Sequence, residues 1–407
     1  MKNILNILWI SILIPVFSQA QIIYGKNNFT AYQRGRLPII ISIPHGGNIA
    51  PANIPDRTCN NPTTVTDANT IELGKQIDSS LFKLTGCHAH LILCHLKRTK
   101  LDCNRNLDDG ACNNFEAENA WMEFHKFIDT AEFLAQQEYQ GKALFIDLHG
   151  HGHAIQQLEL GYSLTAKQLD QPDSLLNSTS YINSSSIRNL VSKNINGSSH
   201  AALIRGQFAL GTILTNAGYP SVPSFATPTP GSNPYFDGGY NTQNYTSNLA
   251  GNTVDGLQIE CNYTNVRENY TTRKVFGEAL AQSILSYLEI HQNLKLTQCS
   301  LVNSTLTKEG NPYYLYTNTA NQSMYFQFND LNLIGKQYFL HNYLGAEIRR
   351  GIINSENQIQ INHPLSSGIY FISIYDIRFT APIKIFVKFE ICSIHITMDR
   401  SISPLIY

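Results

Sequence analysis

Residues 143–153 read ALFIDLHGHGH. Ala143, Leu144, Phe145 and Ile146 make the apolar start of a buried strand. Asp147, His149, His151 and His153 then fall at alternate positions, nominally one face of an extended chain. Such a face either meets a metal or forms a hydrogen-bonded polar patch. In an α/β sheet, ligands bind beyond the carboxyl ends of the strands, which is where this stretch turns polar.

Working outward, strand-like and helix-like segments alternate from Leu37 to about His291. LPIIISI (37–43) reads as a buried strand that ends in Pro44-His45-Gly46-Gly47, and HAHLILCHL (88–96) and GLQIEC (256–261) read as further strands. Helical spacing appears in 68–83, closed by Gly86, in 115–139, in 201–217 and in 276–291. Alternation of this kind predicts an α/β domain with a parallel or mixed sheet. After about Cys299 the pattern changes to short aromatic and β-branched runs such as SMYFQF, GIYFISIYD and IKIFVKF, which predict a small all-β sandwich.

The 407 residues therefore divide into a leader, 1–20, a catalytic domain, 21–298, and an accessory domain, 299–407. MKNILNILWISILIPVFSQAQ has Lys2, an apolar run from Ile4 to Phe17 and small residues at Ser18-Gln19-Ala20, the layout of a secretory signal peptide. We expect a secreted protein with no membrane span after the leader is removed. Charged residues make up only 14% of the chain and the formal net charge is -1, which speaks against a nucleic-acid partner. Eight cysteines without a CxxC pair suit disulfides and argue against a thiolate zinc site; Cys103 and Cys112 bracket a short loop and are one candidate bridge. Asn-X-Ser/Thr sequons include Asn262 and Asn269, within ten residues of Glu260, where glycans would crowd a cleft.

Four strand ends carry polar residues: IPHGG (43–47), RTKLDCNR (98–105), DLHGHG (147–152) and IECNYTNVR (259–267). His45 and His149 with one carboxylate make the three-ligand set of a catalytic Zn2+, leaving a fourth position for water. The carboxylate is Asp67, which is also well placed as an ordinary helix N-cap, or else Glu72. Arg98, Asn104 and Arg105 offer guanidinium and amide donors for an acidic substrate end, although a salt bridge to Asp102, Asp108 or Asp109 is the plainer use of the arginines. Glu260, at a strand end, is the candidate general base. Within the opening stretch, His149 is the expected ligand, Asp147 a supporting partner, His151 a substrate contact and His153 an ordinary polar residue.

The order PHGG, DANTIEL, DCNR, DLHGHG, GGY and IE resembles the N-formylglutamate amidohydrolase family over roughly residues 35–292, and through it the zinc carboxypeptidases and aspartoacylases. The resemblance implies a three-layer α/β/α zinc-hydrolase core with His45 and His149 as ligands. It also implies Asn104 and Arg105 on a substrate carboxylate and Glu260 promoting attack by metal-activated water; in that mechanism Arg105 either binds the carboxylate or polarises the carbonyl. Asp67-Ala68-Asn69-Thr70 matches a D-x-x-T element, and Gly238, Gly239 and Tyr240 match a loop that would sit over the acyl group. Where the carboxypeptidase relatives have Glu three residues after the first His, this chain has Asn48. The tail resembles the C-terminal sorting domains of Bacteroidetes secreted proteins, which would allow attachment to a cell surface, but SIHITMDRSISPLIY runs on past IKIFVKF. The expected substrate is an N-acyl amino acid or a peptide C-terminus. The competing expectation is a catalytically silent carboxylate- or glycan-binding protein.

Overall fold

Eight strands of a mixed sheet organise the first part of the chain in a computed structural model. They are β1 (Ile22–Tyr24), β2 (Thr30–Gln33), β3 (Ile39–Ile43), β4 (His90–Cys94), β5 (Leu144–Gly150), β6 (Leu158–Gly161), β7 (Ser221–Val222) and β8 (Asp255–Cys261). The sheet order is β1-β2-β4-β3-β5-β8-β6-β7. The pairs β4/β3, β3/β5 and β5/β8 are parallel, whereas β2/β4 and β6/β8 are antiparallel. The structure describes residues 22–296, 313–318, 323–328, 333–342, 346–355, 358–361, 368–374, 383–390 and 393–399. The expected leader, with Ser18 and Ala20, lies outside the described residues, as do Cys299, Cys392 and the sequons at Asn303 and Asn321.

The central strands are apolar on both faces, as strands covered on two sides must be. Ile39, Ile41 and Ile43 join one buried cluster with Leu144, Ile146, Leu148, Leu257 and Ile259. Helix Thr70–Thr85 adds Ile71, Ile77 and Leu81, and helix Tyr270–Gln292 adds Phe276, Leu280 and Ile284. Ile40, Ile92 and Phe145 point the other way, against Ala117, Ala120, Phe124 and Ile128 of helix Phe115–Glu138. Helices therefore cover both faces, and alternation along β5 puts Phe145, Asp147 and His149 on the second face. That face is apolar at Phe145 and polar by the carboxyl end of the strand.

Two expected helices differ in extent. The stretch 201–217 forms two helices, His200–Arg205 and Leu210–Asn216, because Gly206 leaves the helix in an extended conformation. The last helix begins at Tyr270, six residues before Phe276, because Asn269 and Thr272 close a reciprocal capping box. Four short helices between Ala166 and Lys193 went unforeseen, since none is long enough to show an apolar period.

The chain divides into two compact units, 1–301 and 302–407. The described strands of the second unit pair antiparallel in a three-stranded sheet, Gln358–Ile361, Ser323–Phe328 and Tyr313–Asn318, and in a five-stranded sheet. The extension beyond IKIFVKF supplies Ser393–Asp399, which pairs with Ile383–Glu390 at the end of the five-stranded sheet. Among the described residues no helix is long and apolar enough to cross a membrane.

Candidate metal centre

The chain leaving β3 turns at Pro44 and delivers His45; a Cβ on Gly47 would lie 2.2 Å from the His95 carbonyl carbon, so only glycine allows this segment to lie against the end of β4. The chain returns at Asp67, whose N–H donates to the His45 carbonyl at 3.0 Å just before helix Thr70–Thr85 begins. β5 brings His149 alongside. His45 Nδ1 lies 3.1 Å from His149 Nδ1 and 3.5 Å from Asp67 Oδ2, and His149 Nδ1 lies 3.2 Å from the same oxygen. All three side chains are buried.

The second nitrogen of each imidazole faces a carboxylate. His45 Nε2 is 2.6 Å from Asp102 Oδ1, and His149 Nε2 is 2.8 Å from Asp147 Oδ2. A hydrogen on each Nε2 would leave the Nδ1 lone pair facing the centre, the arrangement that orients metal-ligating histidines. The carboxylates are held in turn. Ser42 Oγ and Asn241 Nδ2 donate to Asp147 Oδ1 at 2.5 and 3.2 Å, and Arg98 Nε donates to Asp102 Oδ2 at 3.0 Å. Gly150 N–H donates to Asp67 Oδ2 at 3.1 Å.

The donor set fits a metal ion. Tetrahedral N/O ligands about 2.0–2.1 Å from zinc stand about 3.3 Å apart, and the three observed separations straddle that value. The charge balance fits as well. Asp67, Asp102, Asp147 and Glu260 are all buried here, against the guanidiniums of Arg57 and Arg98. Burial works against a charge on His149, yet Asp147, Asp67 and Glu260 together push its pKa well above the ordinary value. A cation at the three ligands would take the place of that proton.

Glu260 is the register partner of His149 across β5 and β8, so both side chains project from one face of the sheet. Its Oε1 accepts from Gln258 Nε2 at 3.0 Å and lies 4.0 Å from His149 Nδ1, while its buried Oε2 has no hydrogen-bond partner. Desolvation pushes the Glu260 carboxyl up to about 8 against the opposing pull of His149.

The structure thus groups His45, Asp67 and His149 as a set that could hold a metal and sets Glu260 beside them. Glu72, the other carboxylate considered, is exposed on helix Thr70–Thr85 and takes no part. Arg98 is occupied by Asp102 and by Asp67 Oδ1, the plainer of its two expected uses, whereas Arg105 is exposed. Asn104 reaches the centre from the side: its Nδ2 is 3.3 Å from His149 Nε2 and its Oδ1 accepts the Asn241 N–H at 2.8 Å. The loop with Gly238, Gly239 and Tyr240 packs directly on it, and a Cβ on Gly239 would lie 2.3 Å from Asn104 Nδ2. Tyr240 sets its ring edgewise to Trp121 and His125. His151 is buried, with its Nε2 bonded to the Gln157 carbonyl at 2.8 Å.

Some expectations are corrected. Cys112 pairs with Cys59, across a Cα–Cα distance of 5.7 Å, and Cys103 is a buried free thiol. Cys103 turns inward to the apolar cluster with Leu101, Ala111 and Phe124, away from the loop it was expected to bridge. Asn262 is buried with its amide donating to the Thr264 carbonyl, so that sequon is closed to a glycan in the folded chain; Asn269 is exposed.

Two contributors escaped the sequence reading. Asp102 entered only as an arginine partner, although it holds His45. Arg267 is buried and donates to the carbonyls of Cys261, Ala68 and His151, tying the exits of β8 and β5 to the Asp67 segment. The signal for it was a lone Arg six residues beyond an apolar strand. No protein-family model matches the chain, and no curated protein matches it.

Proposed function

We propose that the first unit is a metal-dependent hydrolase of the N-formylglutamate amidohydrolase type, cleaving an amide bond beside a free carboxylate. The observation that carries this reading is the convergence of His45 Nδ1, His149 Nδ1 and Asp67 Oδ2 next to the buried, unsatisfied carboxyl of Glu260. Zinc held by those three residues would supply Lewis acidity and lower the pKa of a coordinated water towards about 7. Glu260 accepts the proton of the attacking water and passes it to the leaving amine, a role suited to a carboxyl whose pKa burial raises. Asp102 and Asp147 keep both imidazoles in the ligating tautomer. Arg105, the exposed cation of the 98–105 segment, takes the substrate carboxylate, and Asn104 with the Gly238–Tyr240 loop bounds the acyl side. The signal-like start and the β unit suit an exported, surface-attached enzyme.

The test is turnover of N-acyl amino acids and of peptide C-termini, with bound metal measured by elemental analysis. Glu260→Gln should keep the metal and lose at least about a hundredfold in kcat, and His149→Ala should lose metal and activity together. Full turnover in both variants would sink the mechanism. Metal-free protein that still binds carboxylates would favour a non-catalytic receptor.

A further inference from the structure

β6 runs beside β8 on the side away from β5 and pairs Glu159 with Glu260. His149, Glu260 and Glu159 therefore stand in a row across three strands, on one face of the sheet. The chain leaving β5 folds back over the end of that row. Glu159 Oε1 lies 2.7 Å from His153 Nδ1 and 3.9 Å from His151 Nδ1, and one donor atom from each of the three residues lies within 4.8 Å of the others.

Each donor is oriented by a second contact, as at the first centre. His151 Nε2 faces the Gln157 carbonyl at 2.8 Å and so carries its hydrogen there, leaving Nδ1 as the lone pair. Glu159 Oε2 accepts the Phe236 N–H at 2.9 Å, which turns Oε1 to the histidines. The Phe236 ring stacks on His153 at 4.8 Å between centroids. The Glu159 side chain is 1% exposed and, among the described residues, pairs with the two histidines, whereas His153 is 23% exposed and opens the cluster to solvent. A buried carboxylate with two imidazoles is a donor set suited to zinc and neighbouring transition ions.

We infer that His151, His153 and Glu159 form a second cation site, separate from the His45–Asp67–His149 centre and divided from it by Glu260. Occupancy exchanges two hydrogen bonds for coordination, the His153 N–H to His151 Nδ1 at 3.1 Å and the one between His153 Nδ1 and Glu159 Oε1 at 2.7 Å. The inference goes beyond the hydrolase reading and does not depend on it.

Zinc titration of the chelator-treated full chain, followed by calorimetry and elemental analysis, tests this. The wild type should bind two equivalents. His153→Ala should weaken the second by at least about tenfold while sparing the first, and His45→Ala should do the reverse. If His153→Ala fails to fold, His153→Gln keeps the bulk and serves instead. A single equivalent in the wild type that His153→Ala leaves undiminished, or two undiminished equivalents in His153→Ala, would overturn the inference and leave only a hydrogen-bonded triad. Undiminished binding in His45→Ala strikes at the first centre alone.

Discussion

Glu260 and His149 are register partners on neighbouring parallel strands, with Glu260 Oε1 4.0 Å from His149 Nδ1. The proposed base and a candidate ligand are thus fixed by sheet hydrogen bonding, with no flexible loop between them. Rigid strands hold such pairs better than loops do.

The supporting carboxylates should govern metal affinity. Asp147→Asn is expected to weaken zinc binding about 10–100-fold, because an amide no longer fixes the His149 tautomer. Competition with a chromophoric chelator measures it. Chelating the metal should also lower Tm in the wild type, since an ion bound only by the folded state stabilises that state. An Asp147→Asn protein with unchanged affinity would remove the orienting role.

Arg267 should behave as a structural clamp. Arg267→Met removes the guanidinium donor from the carbonyls of Cys261, Ala68 and His151, of which the Cys261 carbonyl keeps the His151 N–H and Ala68 is exposed; the loss should cost about 1.5–3 kcal/mol in urea unfolding. Arg267→Lys should recover only part, because an ammonium cannot reproduce the planar fork. A loss below about 1 kcal/mol would contradict the clamp.

Two buried groups predict opposite pH effects on stability. Desolvation lowers His90 to about 3, so the folded chain keeps it neutral while the unfolded chain protonates it near its ordinary value. Its contribution is complete above about pH 6.5 and fades as the pH falls towards 3, by roughly 5 kcal/mol in total. Asp255, raised to about 6 by burial, does the reverse: its contribution is complete below the unfolded carboxyl range and is lost as the pH rises through 6. Asp255→Asn should therefore stabilise the protein at pH 7–8 by up to about 2–3 kcal/mol and change little at pH 4. Ser247, which donates to Asp255 Oδ1 at 2.8 Å, can donate to the amide oxygen as well. Denaturant titrations at the two pH values decide it, and equal shifts at both would refute the assignment to this carboxyl.

Reduction of Cys59–Cys112 should destabilise the first unit. The bridge spans 53 residues, a separation for which loop-closure entropy amounts to about 4 kcal/mol. Thermal melts with and without reductant, beside a Cys59→Ala/Cys112→Ala variant, measure the loss. Unchanged melting in both would show that the bridge contributes nothing.

The sequence by itself determined the alternating α/β organisation, the change to short strands near Cys299, and the polar strand ends at His45, Asp102, His149 and Glu260. These are local signals: strand alternation, helix caps and apolar runs are all written within a few residues. That Asp67, and not Glu72, stands with the two histidines became visible only in the tertiary structure, because it depends on how the chain returns to β3 over some twenty residues. It also assigned Asp102 to His45, Arg98 to the carboxylates and Cys112 to Cys59, and it brought Arg267 under the Asp67 segment. The tract ALFIDLHGHGH shows the division plainly. Its alternation put Asp147, His149, His151 and His153 on one nominal face, but the partner strands decided their uses. β3 and β8 surround His149 with a first donor set, whereas Glu159 on β6 gathers His151 and His153 into another. Pairing between distant strands sets which side chains meet, and no local period encodes it.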